Sequence, residues 1–290
     1  MRLGDILAWS AELAGCDTVP ADSQVYVEAR DDVRRVLFGI DIDLPELLYA
    51  RDAGYDAVIA HHPAGDRARI DFSRVVRRQV DQMVAEGVPR DTAIAAVDLR
   101  IEASERALHI ANVNRIVDTA RLVGVPFANI HLACDIIGRG EVAARLDERS
   151  SASSTVGDSI AWLEEFPEIR DAPARPAAWL GDPETPLGRY TVAMAGGTNG
   201  GHPVFREYWR AGVDTIFAMH VGEGDLERLS AEAAPDDNLV VTGHMATDSI
   251  GINRVVSALE REGIEVTRTS GVIAGAAGSA MTPSGQDWVR

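Results

Sequence analysis

Two adjacent histidines, His61 and His62, follow the short apolar segment 56–60 of the sequence. This segment has the length and composition of a buried strand, and Gly54 precedes it as a turn residue. Since imidazole is the commonest metal-binding side chain, the pair suggests a metal site. Successive strand residues point to opposite faces, so we expect the two rings to diverge and to suit two metal ions better than one. Taken alone, the dipeptide is explained equally well as a chance histidine pair on a loop.

Three further apolar runs, 36–40, 128–130 and 239–243, also lead into histidine or aspartate. The residues that follow these runs are Asp41, then His131 and Asp135, then His244 and Asp248. Ligands of open α/β sheets bind at the carboxyl ends of the strands, which is where all these side chains are predicted to lie. His244 and Asp248 are four residues apart, so they share a face if the chain is helical there. The four strand ends together favour a metal site.

The surrounding pattern predicts an α/β protein in which strands and helices alternate. Strands 35–41 and 56–62 flank helix 44–53 as one βαβ unit, and helices 3–14, 74–86 and 105–122 and strand 93–97 complete the first part. Loops at 148–155 and 171–176 lead to strand 190–194, helix 203–211 and strand 214–218. We expect two interlinked α/β domains with mixed sheets, residues 1–130 with 236–290 and residues 131–235, and the metal site in the cleft between them.

The charge of the chain limits its partners. The net charge is −17, which disfavours binding to nucleic acid. All 28 basic residues are arginine. The absence of lysine from the sequence excludes a lysine Schiff base and a Walker A phosphate loop. Basic contacts to a substrate must therefore come from arginine, whose guanidinium binds phosphate or carboxylate through two hydrogen bonds.

Other features favour a cytoplasmic protein without a membrane anchor. No apolar run reaches the roughly 18 residues that a membrane span needs, and the first residues do not follow the plan of a signal peptide. The only cysteines, Cys16 and Cys134, suit a reducing compartment and exclude a cysteine zinc cluster. Cys134 is interpreted as a small buried thiol, and His109 as a surface residue.

A glycine-rich segment, 196–202, lies between a predicted strand and a predicted helix. It could cradle an anion through amides at the start of the helix, or it could be a plain turn that uses glycine for positive φ. His202 and His220 could face the same cleft, but neither has a carboxylate at ligand spacing, so both rank below the other histidines.

Taken together, the motifs 36–41, 57–63, 131–135 and 243–248 resemble those of a known family. The chain is similar to the Nif-three-like dinuclear metal-centre hexameric proteins, also known as GTP cyclohydrolase I type two, over roughly residues 30–265. The most specific motifs are His-His-Pro and the late Gly-His-x-x-x-acid. The resemblance implies the metal ligands His61, His62, Asp135, His244 and Asp248.

The sequence departs from the family pattern at several places. Asp248 stands where the family usually has glutamate, so this carboxylate is one methylene shorter. The family's tryptophan-aspartate-asparagine segment has no clear match before Val36, and its threonine-glycine-glutamate is replaced by residues 218–220. The large optional insertion of the family is absent. These departures place the chain in a divergent branch.

The ligand set that the resemblance implies suits two divalent ions per chain, of zinc, manganese or iron. The first hypothesis is a metal-dependent hydrolase of a small molecule, with a nucleotide such as GTP as the candidate that the family implies. Asp41, His131 and His220 could orient ligands or move protons, although Asp41 could also be a helix N-cap or turn residue. The alternative is a non-catalytic metal-binding or scaffold homohexamer. A third possibility, a metal-free nucleotide binder that uses the glycine segment, would have only Arg206 as a nearby cation.

Overall fold

The computed structural model describes residues 1–195 and 197–275. Residue 196 of the glycine segment and residues 276–290 of the predicted first domain lie outside the described residues. The described chain divides into two compact units. The first contains Met1–Val75, Glu105–Ile137 and the residues from Asp248, and the second contains Val76–Ser104 and Gly138–Thr247.

The elements are numbered along the chain. The helices are α1 (Leu3–Leu13), α2 (Leu44–Asp52), α3 (Asp66–Ile70), α4 (Ser73–Val76), α5 (Arg78–Ala85), α6 (Arg90–Leu108), α7 (Arg115–Val123), α8 (Leu132–Arg149), α9 (Val156–Leu163), α10 (Pro167–Arg170), α11 (His202–Arg210), α12 (Glu223–Glu232) and α13 (His244–Arg261). The strands are β1 (Gln24–Val27), β2 (Arg35–Gly39), β3 (Ala57–Ala60), β4 (Phe127–Asn129), β5 (Ala177–Leu180), β6 (Tyr190–Val192), β7 (Thr215–Ala218), β8 (Asn238–Val241) and β9 (Glu265–Thr269).

The sheet of the first unit has the strand order β1-β4-β3-β2-β9. Strand β2 pairs in parallel with β3 and β9, β3 pairs in parallel with β4, and only β1 runs antiparallel to its neighbour. The parallel strands therefore end at one edge of the sheet. The residues that follow β2, β3 and β4, which include Asp41, His61 and His131, are brought to this edge.

The core of the first unit explains why β2 and β3 form where the apolar runs predict them. Leu37 and Val58 are opposite each other in the register and almost completely buried. They belong to a cluster with Leu47 of α2 and Phe127 of β4, and Tyr26 packs on Phe127 with ring centroids 5.2 Å apart. Each such side chain contributes about 1.5–3 kcal/mol on burial, so this core fixes the edge that carries the histidines.

The second unit has its own sheet, in the order β5-β8-β7-β6. Strands β6, β7 and β8 are parallel, and β5 pairs antiparallel with β8. Each unit thus has a mixed sheet with flanking helices, and the predicted α/β fold with two mixed sheets is confirmed. Within the described ranges, every helix is too short or too polar to cross a lipid bilayer.

Two sequence predictions near the middle of the chain are wrong. The predicted strand 93–97 is part of α6, whose buried residues Ala93, Ala96 and Val97 have the spacing of one helix face. The alanines favour helix over strand, and the apolar run is too short to distinguish the two by pattern alone. The predicted single helix 105–122 is interrupted between α6 and α7, where Asn114 accepts a hydrogen bond from the backbone of Asp66 at 2.9 Å. His109 lies in this interruption and is exposed, as predicted.

Candidate metal centre

His61 and His62 lie directly after β3 and remain hydrogen-bonded to the neighbouring chain segment. The amide of His61 donates to the carbonyl oxygen of Gly39 at 2.8 Å, and the amide of His62 donates to that of Ile40 at 3.0 Å. The backbone of both histidines is therefore held by the residues that end and follow β2. His61 is completely buried, whereas the side chain of His62 is 24% exposed.

The two imidazoles converge instead of diverging. Their ring centroids are 5.2 Å apart, and the ring of His131 lies 4.7 Å from that of His61. Potential ligand atoms of these three histidines all lie within 4.8 Å of one another. The prediction of diverging rings is wrong because β3 ends at Ala60, so the alternation of a strand does not extend to His61 and His62.

Each of the three imidazoles is anchored through its Nδ1 atom. The anchors are the carbonyl oxygen of Ile130 for His61 at 3.0 Å, Asp22 Oδ2 for His131 at 2.7 Å and Asp41 Oδ1 for His62 at 2.8 Å. A carbonyl or carboxylate oxygen can only accept, so these bonds place the proton of each neutral ring on Nδ1. The Nε2 atoms are thereby left to face the centre of the cluster, as metal-binding imidazoles require.

Two buried carboxylates meet these Nε2 atoms. Asp135 stands in the first turn of α8 and Asp248 in α13, and they are 3% and 2% exposed. Asp135 lies 3.3 Å from His61 Nε2 and 3.7 Å from His131 Nε2, while Asp248 Oδ2 lies 3.7 Å from His61 Nε2 and 3.5 Å from His62 Nε2. His61, Asp135 and Asp248 form a second group of potential ligand atoms within 4.8 Å of one another.

The donor set fits a cation. His61 Nε2 and Asp135 Oδ1 are buried and have no hydrogen-bond partner, although they are only 3.3 Å apart. Leaving a buried polar atom without a partner costs about 1–3 kcal/mol, and more for a charged group. A divalent cation would be a partner for both atoms at once. Imidazole nitrogen and carboxylate oxygen are donors that zinc, manganese and iron(II) accept.

The pKa values show how strongly the centre favours positive charge. Burial alone would lower the pKa of His62, but Asp248 and Asp41 raise it to about 10. Burial would raise the pKa of Asp135, but His131 and His61 lower it to about 2. The carboxylate of Asp135 is therefore ionised at neutral pH, and in the absence of a cation Asp248 and Asp41 hold a proton on His62. A bound cation would displace that proton.

This chain is similar to a crystal structure of a NIF3 superfamily protein from Sphaerobacter thermophilus, with 40% sequence identity and a TM-score of 0.88. The similarity covers 93% of this chain and 98% of the other. The chain belongs to the NIF3 superfamily. The family expected from the sequence motifs is confirmed, and the superfamily together with the His/Asp cluster supports a metal-binding protein.

More distant structures share the fold of this NIF3 superfamily member. Protein ybgI, of unknown function, is 17% identical with a TM-score of 0.53 and covers 93% of this chain and 98% of its own. Reduced HcgD from Methanocaldococcus jannaschii is 11% identical with a TM-score of 0.57, over 92% and 97%. No family model matches the chain, and no curated protein is similar to it.

His244 and Asp248 have the relationship that the sequence predicts for the late motif of the NIF3 protein. His244 is the first residue of α13 and Asp248 the fifth, so they lie one helical turn apart on one face. Since α13 begins at His244, Asp248 lies within the helix and does not cap it. The ring of His220 packs 4.4 Å from that of His244.

The other candidate residues have different surroundings. Asp41 orients His62 and does not cap α2, because the cap is Asp43, whose carboxylate accepts from the Leu44 amide at 2.7 Å. His202 contacts Glu232 at 2.9 Å in the second unit. In the described part of the glycine segment, Asn199 accepts from the Gly201 amide at 3.0 Å.

Asp22 is a residue of the centre that the sequence did not reveal. It is completely buried, and Asn129 fixes its backbone by donating to its carbonyl oxygen at 2.7 Å. Tyr26 in turn donates to Asn129 Oδ1 at 2.7 Å. Asp22 precedes His131 by 109 positions, and no spacing rule connects residues so far apart. The role of Asp22 is therefore visible in the folded structure and cannot be inferred from the spacing of residues in the sequence.

Replacing Asp22 by asparagine should weaken metal binding. The variant Asp22→Asn loses a hydrogen bond to a charged carboxylate, worth about 1.5–3 kcal/mol, and no longer fixes the proton of His131 on Nδ1. We expect metal affinity to fall roughly 10- to 100-fold, as it does when a residue that orients a ligand is lost. Competition with a chromogenic chelator measures the affinity, and nitrogen NMR shifts report the His131 tautomer. The exposed Asp17→Asn is the control. Equal affinity and tautomer in Asp22→Asn and wild type would contradict the assignment.

Proposed function

We propose that the protein binds divalent metal ions through His61, His62, Asp135, His244 and Asp248 and uses this centre to hydrolyse a small molecule. The observation that carries the proposal is the pair His61 Nε2 and Asp135 Oδ1, two buried polar atoms 3.3 Å apart without a hydrogen-bond partner. The three anchored imidazoles support it, since each presents Nε2 toward a carboxylate or the cluster centre.

Zinc, manganese and iron(II) are the ions that this donor set suits, and the family resemblance implies two per chain. When bound, such ions lower the pKa of a coordinated water and polarise the bond that is cleaved. The side chains of the protein would perform the other roles at the centre. Asp135 and Asp248 balance the positive charge, Asp41 and Asp22 keep the imidazoles in place, and His131 is positioned to hold a proton at Nε2. A nucleotide such as GTP is the substrate candidate from the family.

A non-catalytic metal-binding protein is the second candidate, and one observation favours it. His61, Asp135 and Asp248 are almost completely buried, and only His62 among the clustered residues of the first unit is substantially exposed. A closed site with every position filled by protein is typical of structural metal, whereas catalysis needs an open position. In this case the protein would be a scaffold, with the homohexamer that the family resemblance implies.

Metal analysis followed by a turnover screen tests the proposal. We expect protein purified without chelators to contain about two divalent ions per chain and to melt at a lower temperature after chelator treatment, since ligands that bind the native state stabilise it. The loaded protein should then hydrolyse at least one member of a nucleotide panel, and the chelated protein none. Metal without turnover on the panel would favour the scaffold. Protein that contains no metal and regains none on dialysis would refute both candidates.

A further inference from the structure

The second unit contains a cavity bordered by α11, the end of α12 and the segment that leads into β8. Its volume is about 500 Å³, within the range of about 300–1,000 Å³ that is typical of small-molecule sites. The residues that line it are Arg206, Trp209, Arg210, Glu232, Ala234 and Asp237. All of them belong to the second unit, and none is a member of the His/Asp cluster. The proposed metal chemistry therefore gives this cavity no role.

Two arginines of the lining are held by one buried carboxylate. Arg206 Nε and Arg210 Nη1 both donate to Glu207 Oε1 at 2.9 Å, and Glu207 is only 7% exposed. The arginines are four residues apart in α11 and so lie on the same helix face. One negative charge thus serves two positive charges. Each guanidinium has further N–H groups beyond the one that Glu207 accepts, so this face offers oriented donors to an anionic group.

Glu232 contributes a negative charge to the same cavity. It is the last residue of α12, and its carboxylate contacts His202 Nε2 at 2.9 Å. This contact with His202 lowers the pKa of Glu232, and the positive charges of Arg206 and Arg210 lower it further. Glu232 is therefore ionised at neutral pH.

Asp237 is a second carboxylate of the lining, and it has no cationic partner within residues 1–195 and 197–275. Its Oδ2 atom accepts from the backbone amide of Ala234 at 2.7 Å. Burial raises the pKa of Asp237, and the nearby charges of Asp214 and Asp236 raise it further. A cation beside Asp237 would offset both the burial and the repulsion. The cavity thus has places for a positive group as well as for a negative one.

Trp209 adds an apolar surface to these charges. It lies on α11 between the two arginines in sequence and is 9% exposed. The indole ring combines a large apolar body with one N–H donor, and among the described residues Trp209 Nε1 has no hydrogen-bond partner. A ligand that fits the whole lining would therefore carry an apolar group in addition to its charges.

We propose that this cavity binds a small zwitterion with an apolar side chain, which is the chemistry of a free amino acid or a dipeptide. Arg206 and Arg210 bind its carboxylate, which matches the planar fork of arginine. Asp237 and Glu232 accept from its ammonium group, and its side chain packs on Trp209. A purely anionic ligand would be repelled by the two carboxylates of the lining, and a purely cationic one by the arginines. This binding activity is separate from the proposed function and does not depend on it.

A purely structural role for the arginine pair has a different consequence. In that case Arg206 and Arg210 would serve only to neutralise the buried Glu207. Since both donate to the same oxygen, Glu207 keeps one ionic partner when either arginine is replaced. Replacement of Arg210 would then leave the binding of small zwitterions unchanged.

The test measures the binding of L-phenylalanine to the full chain by calorimetry. The protein is used as purified and again after chelator treatment, because free amino acids also bind metal ions. We expect equal affinity in both states. N-acetyl-L-phenylalanine and L-phenylalaninamide, each of which lacks one charge, should bind about tenfold or more weakly, and so should glycine, which lacks the side chain. Tighter binding of L-phenylalanine or of glycyl-L-phenylalanine distinguishes a free amino acid from a dipeptide.

Two variants test the two charges of the lining separately. Arg210→Gln should weaken the binding of L-phenylalanine about tenfold or more, but it should change that of L-phenylalaninamide, which lacks the carboxylate, by about twofold or less. Asp237→Asn removes a charge and keeps an oxygen that can accept from the Ala234 amide. It should weaken the binding of L-phenylalanine to a similar extent and should not weaken that of N-acetyl-L-phenylalanine.

The matched control is Arg149→Gln. Arg145 and Arg149 both donate to Glu165 Oε2 at 2.8 Å, so this variant also leaves a shared carboxylate with one arginine, but outside the cavity lining. It should bind L-phenylalanine within about twofold of wild type. Three results would overturn the proposal: wild type that binds no L-phenylalanine at millimolar concentration, derivatives or variants that bind as tightly as the zwitterion and wild type do, and a control that loses binding. Binding that disappears with the metal would place the amino acid at the metal centre and would also refute this site.

Discussion

His61→Ala is expected to lose most of its bound metal. His61 is fully buried and belongs to both groups of potential ligand residues in the first unit, and its Nε2 atom lies 3.3 Å from Asp135 and 3.7 Å from Asp248. Loss of a residue that only supports a ligand lowers metal affinity roughly 10- to 100-fold, so loss of this nitrogen should cost about 100-fold or more. Elemental analysis of the purified variant and chelator competition measure the change. His244→Ala should act in the same direction.

The control for His61→Ala is His109→Ala, which removes an imidazole that is exposed between α6 and α7. It should keep its metal and its melting temperature, because exposed substitutions away from special features change stability by about 0.5 kcal/mol or less. In the presence of chelator, the melting temperature of His61→Ala should differ less from that of wild type than it does with metal. Without metal, wild type also lacks the cation that would be the partner of Asp135. Full metal occupancy in His61→Ala would contradict the assignment of the centre.

The strand ends of the first unit could be predicted because buried parallel strands leave continuous apolar runs in the sequence. The apolar runs that became β2 and β3 are covered on both faces, and such parallel strands appear as continuous hydrophobic stretches. By contrast, β9 is a partly exposed edge strand in which Val266 is the one apolar residue, and β5 has only four residues. Neither produces a periodicity that distinguishes it from a loop. The alanine-rich run 93–97 was too short for its pattern to distinguish a helix from a strand, and helix propensity decided its structure.

The candidate centre was predictable in its composition and less so in its geometry. Side chains at the carboxyl ends of parallel strands meet at one edge, so His61, His62 and His131 could be grouped from the sequence. Their convergence could not be predicted, because it depends on where β3 ends. The role of Asp22 depends on a contact between residues far apart in the chain, which spacing rules do not reach.

Asp248→Asn is expected to lose metal, whereas Asp248→Glu should retain it. Asp248 Oδ2 lies 3.5 Å from His62 Nε2 and 3.7 Å from His61 Nε2, inside α13 and almost completely buried. Asparagine keeps the shape of the side chain but removes a negative charge and a strong oxygen donor, so affinity should fall by about tenfold or more. Glutamate, the residue usual in the family, restores both on a longer stem. Its extra methylene costs about 1–3 kcal/mol in a packed site, which bound metal should offset.

Metal stoichiometry and thermal melting of both variants, with and without chelator, separate a ligand from a buried structural carboxylate. If Asp248 is a metal ligand, Asp248→Asn should lose the stabilisation that bound metal gives, whereas Asp248→Glu should keep it. If Asp248 serves only to hold the proton of His62, whose pKa it helps to raise to about 10, both variants should bind metal as wild type does. Asp248 does not act as a helix cap, because α13 begins four residues before it. Asparagine that binds metal as well as wild type would therefore remove Asp248 from the ligand set and leave its carboxylate as a partner of the imidazoles of His61 and His62.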